Sequence, residues 1–236
     1  MKKLIFILHY TFCTFILCAQ HNPELVSTIQ NIDTLPKMTD TLKIYPNNIQ
    51  IDAFPKFKLR YQDDSFGKKL VRSIAVSSVY DLAIIGVLLL APESISKWEN
   101  REMLKPERIR ERYKLAYTTL PIIDHDMFIT NYIGHPYQGA FYFNQMRSQG
   151  ATFMQSSLYN LSQSLLWEYV WEAGLEQPSI QDLLVTPIAG SLTGELIHKS
   201  TLKMRKNGFR WYEKVFVIIF NPNYAINNGF RTLPSE

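Results

Sequence analysis

"SLYNLSQSLLWEYVWEAGLE", Ser157 to Glu176, is the stretch on which the fold turns. Ser157, Leu161, Ser164, Glu168 and Glu172 recur at helical spacing with Asn160 beside them, which draws a polar stripe along one helix. The other faces carry Leu158, Leu165, Leu166, Trp167, Tyr169, Val170 and Trp171. On an open surface, two glutamates four residues apart repel by roughly 0.2–0.5 kcal/mol. In an apolar setting they need a cation, a metal ion or a shared proton. A solvated face, a structural Arg–Glu pair and a functional carboxylate site are the three readings of this stripe.

The cation nearest in sequence lies in "NYIGHPYQGAFYFNQMRSQG", Asn131 to Gly150, where Arg147 is the sole formal charge. Pro136 suits a first helical position, which puts His135 at the N-cap of a helix over Pro136 to Gln149. Histidine is not a favoured cap, so a ligand or acid/base role stands beside the capping one. Arg147 follows His135 by twelve residues, more than three turns, so the two meet only through another element. That element is expected to be Thr152 to Ala173, with Glu168 and Glu172 as partners of Arg147.

Downstream, "PSIQD" pairs a capping Ser179 with Asp182 three residues later, the spacing of a capping box. The helix it opens, Ile180 to about Lys203, contains Pro187, a kink signal. Gly190 and Gly194 lie one turn apart, which permits close helix contact. Glu195 follows directly. Lys199, Lys203, Arg205, Lys206, Arg210 and Lys214 then form a basic stretch that suits a helix end or anionic headgroups.

The rest of the chain supplies location. Residues 1–20 have the layout of a secretory signal peptide: Lys2 and Lys3, the apolar run Leu4 to Leu17, then Ala19. Both cysteines, Cys13 and Cys18, fall inside it, so the exported chain has no thiol chemistry. The 236 residues carry 25 basic and 21 acidic side chains, and removing Lys2 and Lys3 brings the mature balance close to neutral. Such a balance gives no footing for nucleic acid.

Residues 21–67 read as a polar, weakly structured lead-in, with "FKLRY" as a short strand or extended arm. Ser73 to Ala91 is long and apolar enough to cross a bilayer, yet Asp81 near its middle must be paired or face protein. Lys68, Lys69 and Arg72 would flank an ordinary span on the wrong side. Burial in protein or a shallow membrane position therefore fits as well as a crossing. Glu93 to Tyr117 is highly charged, with Ile109, Tyr113 and Tyr117 as its apolar stripe, and reads as a surface helix begun at Pro106. Leu120 to Asn131 reads as a loop holding Asp124 and Asp126, and "WYEKVFVIIFNP" as a last apolar block stopped by Pro222. The architecture expected is mainly α: a helical bundle with one or more membrane-embedded or deeply buried apolar helices and an extended N-terminal arm. Its helical domain runs over 68–228, followed by a tail, 229–236.

Four blocks, HPxxGxxYxxxxRxxG (His135 to Gly150), SxxWExxxE (Ser164 to Glu172), PSxxD (Pro178 to Asp182) and TxxxGxxxGE (Thr186 to Glu195), resemble a family of bacterial envelope proteins catalogued as domain-of-unknown-function family 3943. The resemblance covers roughly Asp124 to Asn228. It implies an envelope location, and it brings no reaction with it. The order ExxxE, PSxxD, GxxxG is also faintly similar to VanZ-like membrane proteins. HExxH, GxSxG and a phosphate-binding glycine loop are all missing from the sequence.

The sequence therefore points to an exported, membrane-associated envelope protein, facing the periplasm and meeting lipid. Its candidate cluster is His135, Arg147, Glu168, Glu172, Asp182 and Glu195. The first role for the cluster is structural, in a scaffold component. The second is a hydrolase or transferase acting on lipid or envelope glycan through His135 and the glutamates. The third is a binding module for an outer-membrane partner. The sequence specifies no cofactor and leaves metal content open.

Overall fold

Helix-forming periodicity, proline and capping residues divide the chain into seven α-helices among the described residues, which are 58–92, 104–124 and 126–231 of the computed structural model. These are α1 (Phe66–Leu90), α2 (Pro106–Thr118), α3 (His135–Arg147), α4 (Phe153–Leu166), α5 (Ile180–Lys206), α6 (Trp211–Phe220) and α7 (Pro222–Asn228). All belong to one compact unit, Lys56–Glu236. The expected signal peptide and the lead-in as far as residue 57 lie outside the described residues, as do 93–103 and 232–236. The "FKLRY" strand does not form where it is described. Residues 58–64 make a turn, closed by the Gln62 amide on the Leu59 carbonyl, and Leu59 packs with Phe209, Val217 and Tyr224.

The centre of the bundle is the crossing of α3, α4 and α5. A Cβ on Gly139 would lie 2.0 Å from the Thr186 carbonyl oxygen, and one on Gly190 would lie 2.5 Å from the Gly139 Cα. The GxxxG signal thus reports a backbone-to-backbone approach of α5 on α3. Pro187 sits inside α5 without ending it, and Asn160 of α4 donates to the Thr186 and Pro187 carbonyls and to Ser191.

His135 is not an N-cap. Helical backbone begins at Phe128 and passes through a π-helical turn, Thr130–Gly134, directly into α3. The His135 amide bonds back to the Thr130 carbonyl, five residues away. Proline at 136 has no amide to offer and its ring crowds the preceding turn, and a wide turn relieves both. A second π-helical turn, Trp167–Trp171, extends α4. The buried side of α4 carries Ser156, Asn160, Gln163 and Ser164, whereas Leu161 is exposed. The polar stripe is therefore rotated from the one its spacing suggests.

Polarity runs inside out. Among the described residues, 28 buried side chains are polar or charged against 16 that are hydrophobic, while 33 large hydrophobic side chains are exposed. On α5 the exposed set is Ile180, Leu184, Ile188, Leu192 and Leu196, an unbroken i, i+4 row about 24 Å long at 1.5 Å per residue. Water-soluble proteins rarely leave such a contiguous apolar face uncovered.

Helix α1 follows the same rule. Its only buried positions are Lys69, Ser73, Ser77 and Asp81, four residues apart, and Val71, Ile74, Val79, Leu82, Val87 and Leu90 are exposed. Burial of the whole helix in protein does not occur; its polar edge is buried, with Phe66, Leu70, Val76 and Tyr80 partly covered beside it. Asp81 faces protein, as its cost demands, and accepts from the Tyr142 hydroxyl at 2.5 Å. Ser77 accepts from Tyr159, and Ser73 from Gln149. Alone among the described helices, α1 is long and apolar enough to cross a membrane.

The flanking helices dock by side chain to backbone hydrogen bonds. Tyr113 and Tyr117 of α2 reach the Val170 and Tyr169 carbonyls of the second π turn at 2.6 and 2.5 Å. Pro222 ends α6 and opens α7, whose asparagines bind α3: Asn223 to the Phe141 carbonyl at 2.6 Å, and Asn227 to Ser148 at 2.7 Å.

Candidate functional site

Three helix ends converge at one end of the bundle: the start of α3, the π turn after α4, and the first turn of α5. They bring together His135, Glu168 and Asp182, all buried, with one ligand-capable atom from each lying within 4.8 Å of the others. A single parallel bridge, Ile122 with Ser179, pins the preceding loop to the start of α5 and adds Asp124 to the group.

Ser179 is the hub. Its hydroxyl accepts from the Asp182 amide at 3.3 Å, so the expected cap forms. Its own amide does not close a capping box with Asp182 but donates to Glu168 Oε2 at 2.9 Å. The same hydroxyl donates to Asp124. Asp124 also accepts from Asn131 Nδ2 at 2.6 Å and from the Asp126 amide at 3.0 Å.

His135 is held by Thr186, whose Oγ1 lies 3.1 Å from Nδ1, and its Nε2 is 3.4 Å from Asp182 Oδ1. That Asp182 oxygen is buried and has no hydrogen-bond partner.

The electrostatics follow from burial. Burial pushes Glu168 up to about 8, with the Ser179 amide opposing and the Asp182 charge adding to it. Burial, then the charge of Asp124, pushes Asp182 up to about 7. Burial pushes His135 down to about 4 against the attraction of Asp124, so its ring is neutral near pH 7. Burial works against ionised Asp124 as well, yet its hydrogen bonds from Ser179, Asn131 and the Asp126 amide outweigh that and hold it below the usual carboxylate range. Glu172 is raised by burial and by the charge of Glu168. The set thus holds one ionised carboxylate, two carboxyl groups able to give or take a proton near neutral pH, and a neutral imidazole.

These groups line a cavity of about 620 Å³ that opens at the surface. Asp124, Asp126, Glu168, Glu172, Glu176 and Asp182 contribute six carboxyl groups to its wall, and no lysine or arginine lines it among the described residues. Tyr80, Ile84 and Leu88 of α1, with Met127 and Trp167, add apolar lining.

Arg147 takes no part. It pairs with Glu195 rather than Glu168 or Glu172, through Nε at 2.7 Å and a second guanidinium nitrogen at 3.1 Å, and donates also to the Ala151 carbonyl. Arg147 ends α3 whereas His135 begins it, so one helix carries these two residues to separate sites. Burial opposes the Glu195 charge, but Arg147 holds its carboxyl below the usual range, as a bidentate guanidinium should. The single cluster expected from sequence is therefore two: a closed ion pair, Arg147–Glu195, and an open cavity with His135, Glu168, Glu172 and Asp182. Asp124, Ser179 and Thr186 belong to the cavity site and went unrecognised. The pair of acids at Asp124 and Asp126 was the available signal, but only the Ile122–Ser179 bridge places it.

The fold and site define a helical domain with an apolar exterior, a polar interior and an acidic cavity at one end. Residues 120–223 match the model of the family described as Domain of unknown function (DUF3943). The four sequence blocks from His135 to Glu195 all fall within it. No curated protein and no solved structure matches the chain.

Proposed function

We propose that the protein is an exported, membrane-associated envelope protein and that its cavity is a hydrolase or transferase site for an amphiphilic envelope substrate, a lipid or a lipid-linked glycan. The observation that carries this reading is the mixed lining of the cavity, which joins His135, Glu168 and Asp182 with Tyr80, Ile84, Leu88 and Trp167. A substrate with a polar head and an apolar tail fits such a lining. The exposed aliphatic rows of α1 and α5 support the membrane association.

In hydrolysis, neutral His135 takes a proton from the attacking water, and Glu168 or Asp182, protonated near neutral pH, returns one to the leaving oxygen. The hydroxyl of water goes to the acyl, phosphoryl or glycosyl centre, and the proton to the departing alcohol.

The test compares cells carrying the wild type, no copy, and His135→Gln. Membrane fractions are extracted with carbonate, and their lipids and glycans are resolved by mass spectrometry. One lipid or glycan species should accumulate equally without the gene and with His135→Gln, while the variant stays in the membrane. The bidentate Arg147–Glu195 pair favours a purely structural role. Unchanged profiles with His135→Gln would decide for that scaffold role, and release by carbonate would overturn the membrane association.

A further inference from the structure

We infer that His135 Nε2, Asp182 Oδ1 and a carboxylate oxygen of Glu168 form a binding site for one divalent transition-metal cation such as Zn²⁺ or Mn²⁺. The inference deepens the reading of the cavity as an active site, and it stands or falls on separate measurements.

The first argument is the unsatisfied pair. Thr186 holds His135 by Nδ1, which leaves Nε2 directed at Asp182 Oδ1, 3.4 Å away, with no hydrogen bond completed on that oxygen. With the ring proton on Nδ1, donated to Thr186 Oγ1, and with Asp182 ionised, Nε2 and Oδ1 present lone pairs to each other, and a cation between them satisfies both. Two ligands held tetrahedrally at bond lengths of about 2.1 Å lie about 3.4 Å apart, which matches this separation. The third ligand atom, from Glu168, lies within 4.8 Å of both, so small side-chain rotations close the set.

The second argument is charge. The wall of the cavity carries six carboxyl groups and no lysine or arginine among the described residues, and a divalent cation offsets the charge these carboxyls take on when ionised. The third is support behind the ligands. Thr186 orients His135, and the Ser179 amide fixes one Glu168 oxygen. Metal sites use such outer hydrogen bonds to set ligand direction. One nitrogen and two oxygens suit zinc, manganese or ferrous iron better than calcium or cuprous copper.

Three protein ligands leave a coordination position facing the cavity, as in catalytic rather than structural metal sites. A cation held there would take His135, Asp182 and Glu168 as ligands and would supply Lewis acidity toward a water in place of the imidazole's basicity.

The full chain, purified in detergent and stripped with chelator, is dialysed against Zn²⁺ or Mn²⁺ alone and its metal content measured by mass spectrometry. One ion per chain is expected, with affinity at least tenfold weaker in Asp182→Asn and in His135→Gln, and unchanged in Glu213→Gln on exposed α6. Co²⁺ gives a second readout: its visible absorption should report a tetrahedral nitrogen–oxygen site and change in Glu168→Gln. Circular dichroism establishes that each variant is folded. Uptake below one ion per chain in the wild type, or uptake equal in the wild type and the three ligand variants, overturns the site. A lipid or glycan change that depends on His135 without metal uptake would sink the cation site and leave the enzymatic reading standing; stoichiometric metal with unchanged profiles would do the reverse.

Discussion

Replacing Gly190 by alanine tests the packing on which every other feature rests. The new Cβ would stand 2.5 Å from the Gly139 Cα, 2.7 Å from its carbonyl carbon and 3.0 Å from the Ala140 nitrogen. Carbon atoms in contact sit about 3.5–4.0 Å apart, so the shortfall is about 1 Å or more. All three neighbours are backbone atoms within α3 and cannot swing aside as a side chain would. The helices must part along the most extensive pairing in the bundle, and a gap of that size forfeits a quarter to a half of each dispersion well there. Overpacking of this kind costs about 3 kcal/mol, the upper end of the usual range. At this chain size that lowers Tm by about 6–12 °C. Thermal unfolding in detergent, followed by circular dichroism, measures it. Gly86→Ala in α1 is the control: nothing lies within 4 Å of its Cβ, and the better helix propensity of alanine should raise stability by up to about 1 kcal/mol. Equal Tm values for the two variants would refute the close crossing of α3 and α5.

Three further outcomes follow from the same geometry. Arg147→Met should cost about 2 kcal/mol by leaving the half-buried Glu195 charge with only the exposed Lys199 as a cationic partner, and Arg147→Met with Glu195→Met should recover most of it in a double-mutant cycle read by denaturant unfolding. Tyr113→Phe and Tyr117→Phe should each cost about 1 kcal/mol, and together should expose the Val170–Tyr169 amide region to faster hydrogen exchange, because each removes a hydroxyl bonded to a π-turn carbonyl. In chelator, stability should fall as pH rises from 5 to 8. Asp182 and Glu168 keep protons in the folded protein up to about 7 and about 8, whereas unfolded carboxyls release them near pH 4, so the native state binds more protons across that window. His135 acts in the opposite sense: its folded value near 4 withdraws stability only as pH falls below its ordinary 6.5. Asp182→Asn with Glu168→Gln should flatten the slope above pH 5, and an unchanged slope would show that these carboxyls are not the buried proton holders.

Much of the helical framework was legible because its signals are local. Pro106 and Ser179 mark helix starts whose chemistry needs no distant partner, Pro222 ends the last apolar block as expected, and α4 and α5 begin within one residue of the positions their patterns assign, whereas Pro136 lies inside helical backbone that begins at Phe128. Gly190 and Gly194 likewise announced a close approach without naming Gly139 and Phe143 as what they meet. The partner of Arg147 was not legible: Glu168, Glu172 and Glu195 are equal candidates in one dimension, and only the crossing of α3 and α5 selects Glu195. The π turns were equally hidden. Each moves the register of its helix by a fraction of a turn, and that shift decides which face Glu168 and His135 present.

Residue order by itself determined where helices begin, that Asp81 needs a protein partner, and that histidine and several carboxyl groups must be satisfied among apolar neighbours. Tertiary structure alone decided that the apolar faces turn outward and the polar ones inward, because exposure belongs to a helix's neighbours rather than to its period. It also divided one expected cluster into a closed Arg147–Glu195 pair and an open acidic cavity. The physical reason is length: α3 separates His135 from Arg147 by twelve residues, about 18 Å at 1.5 Å per residue, so the two ends of one helix answer to different parts of α5.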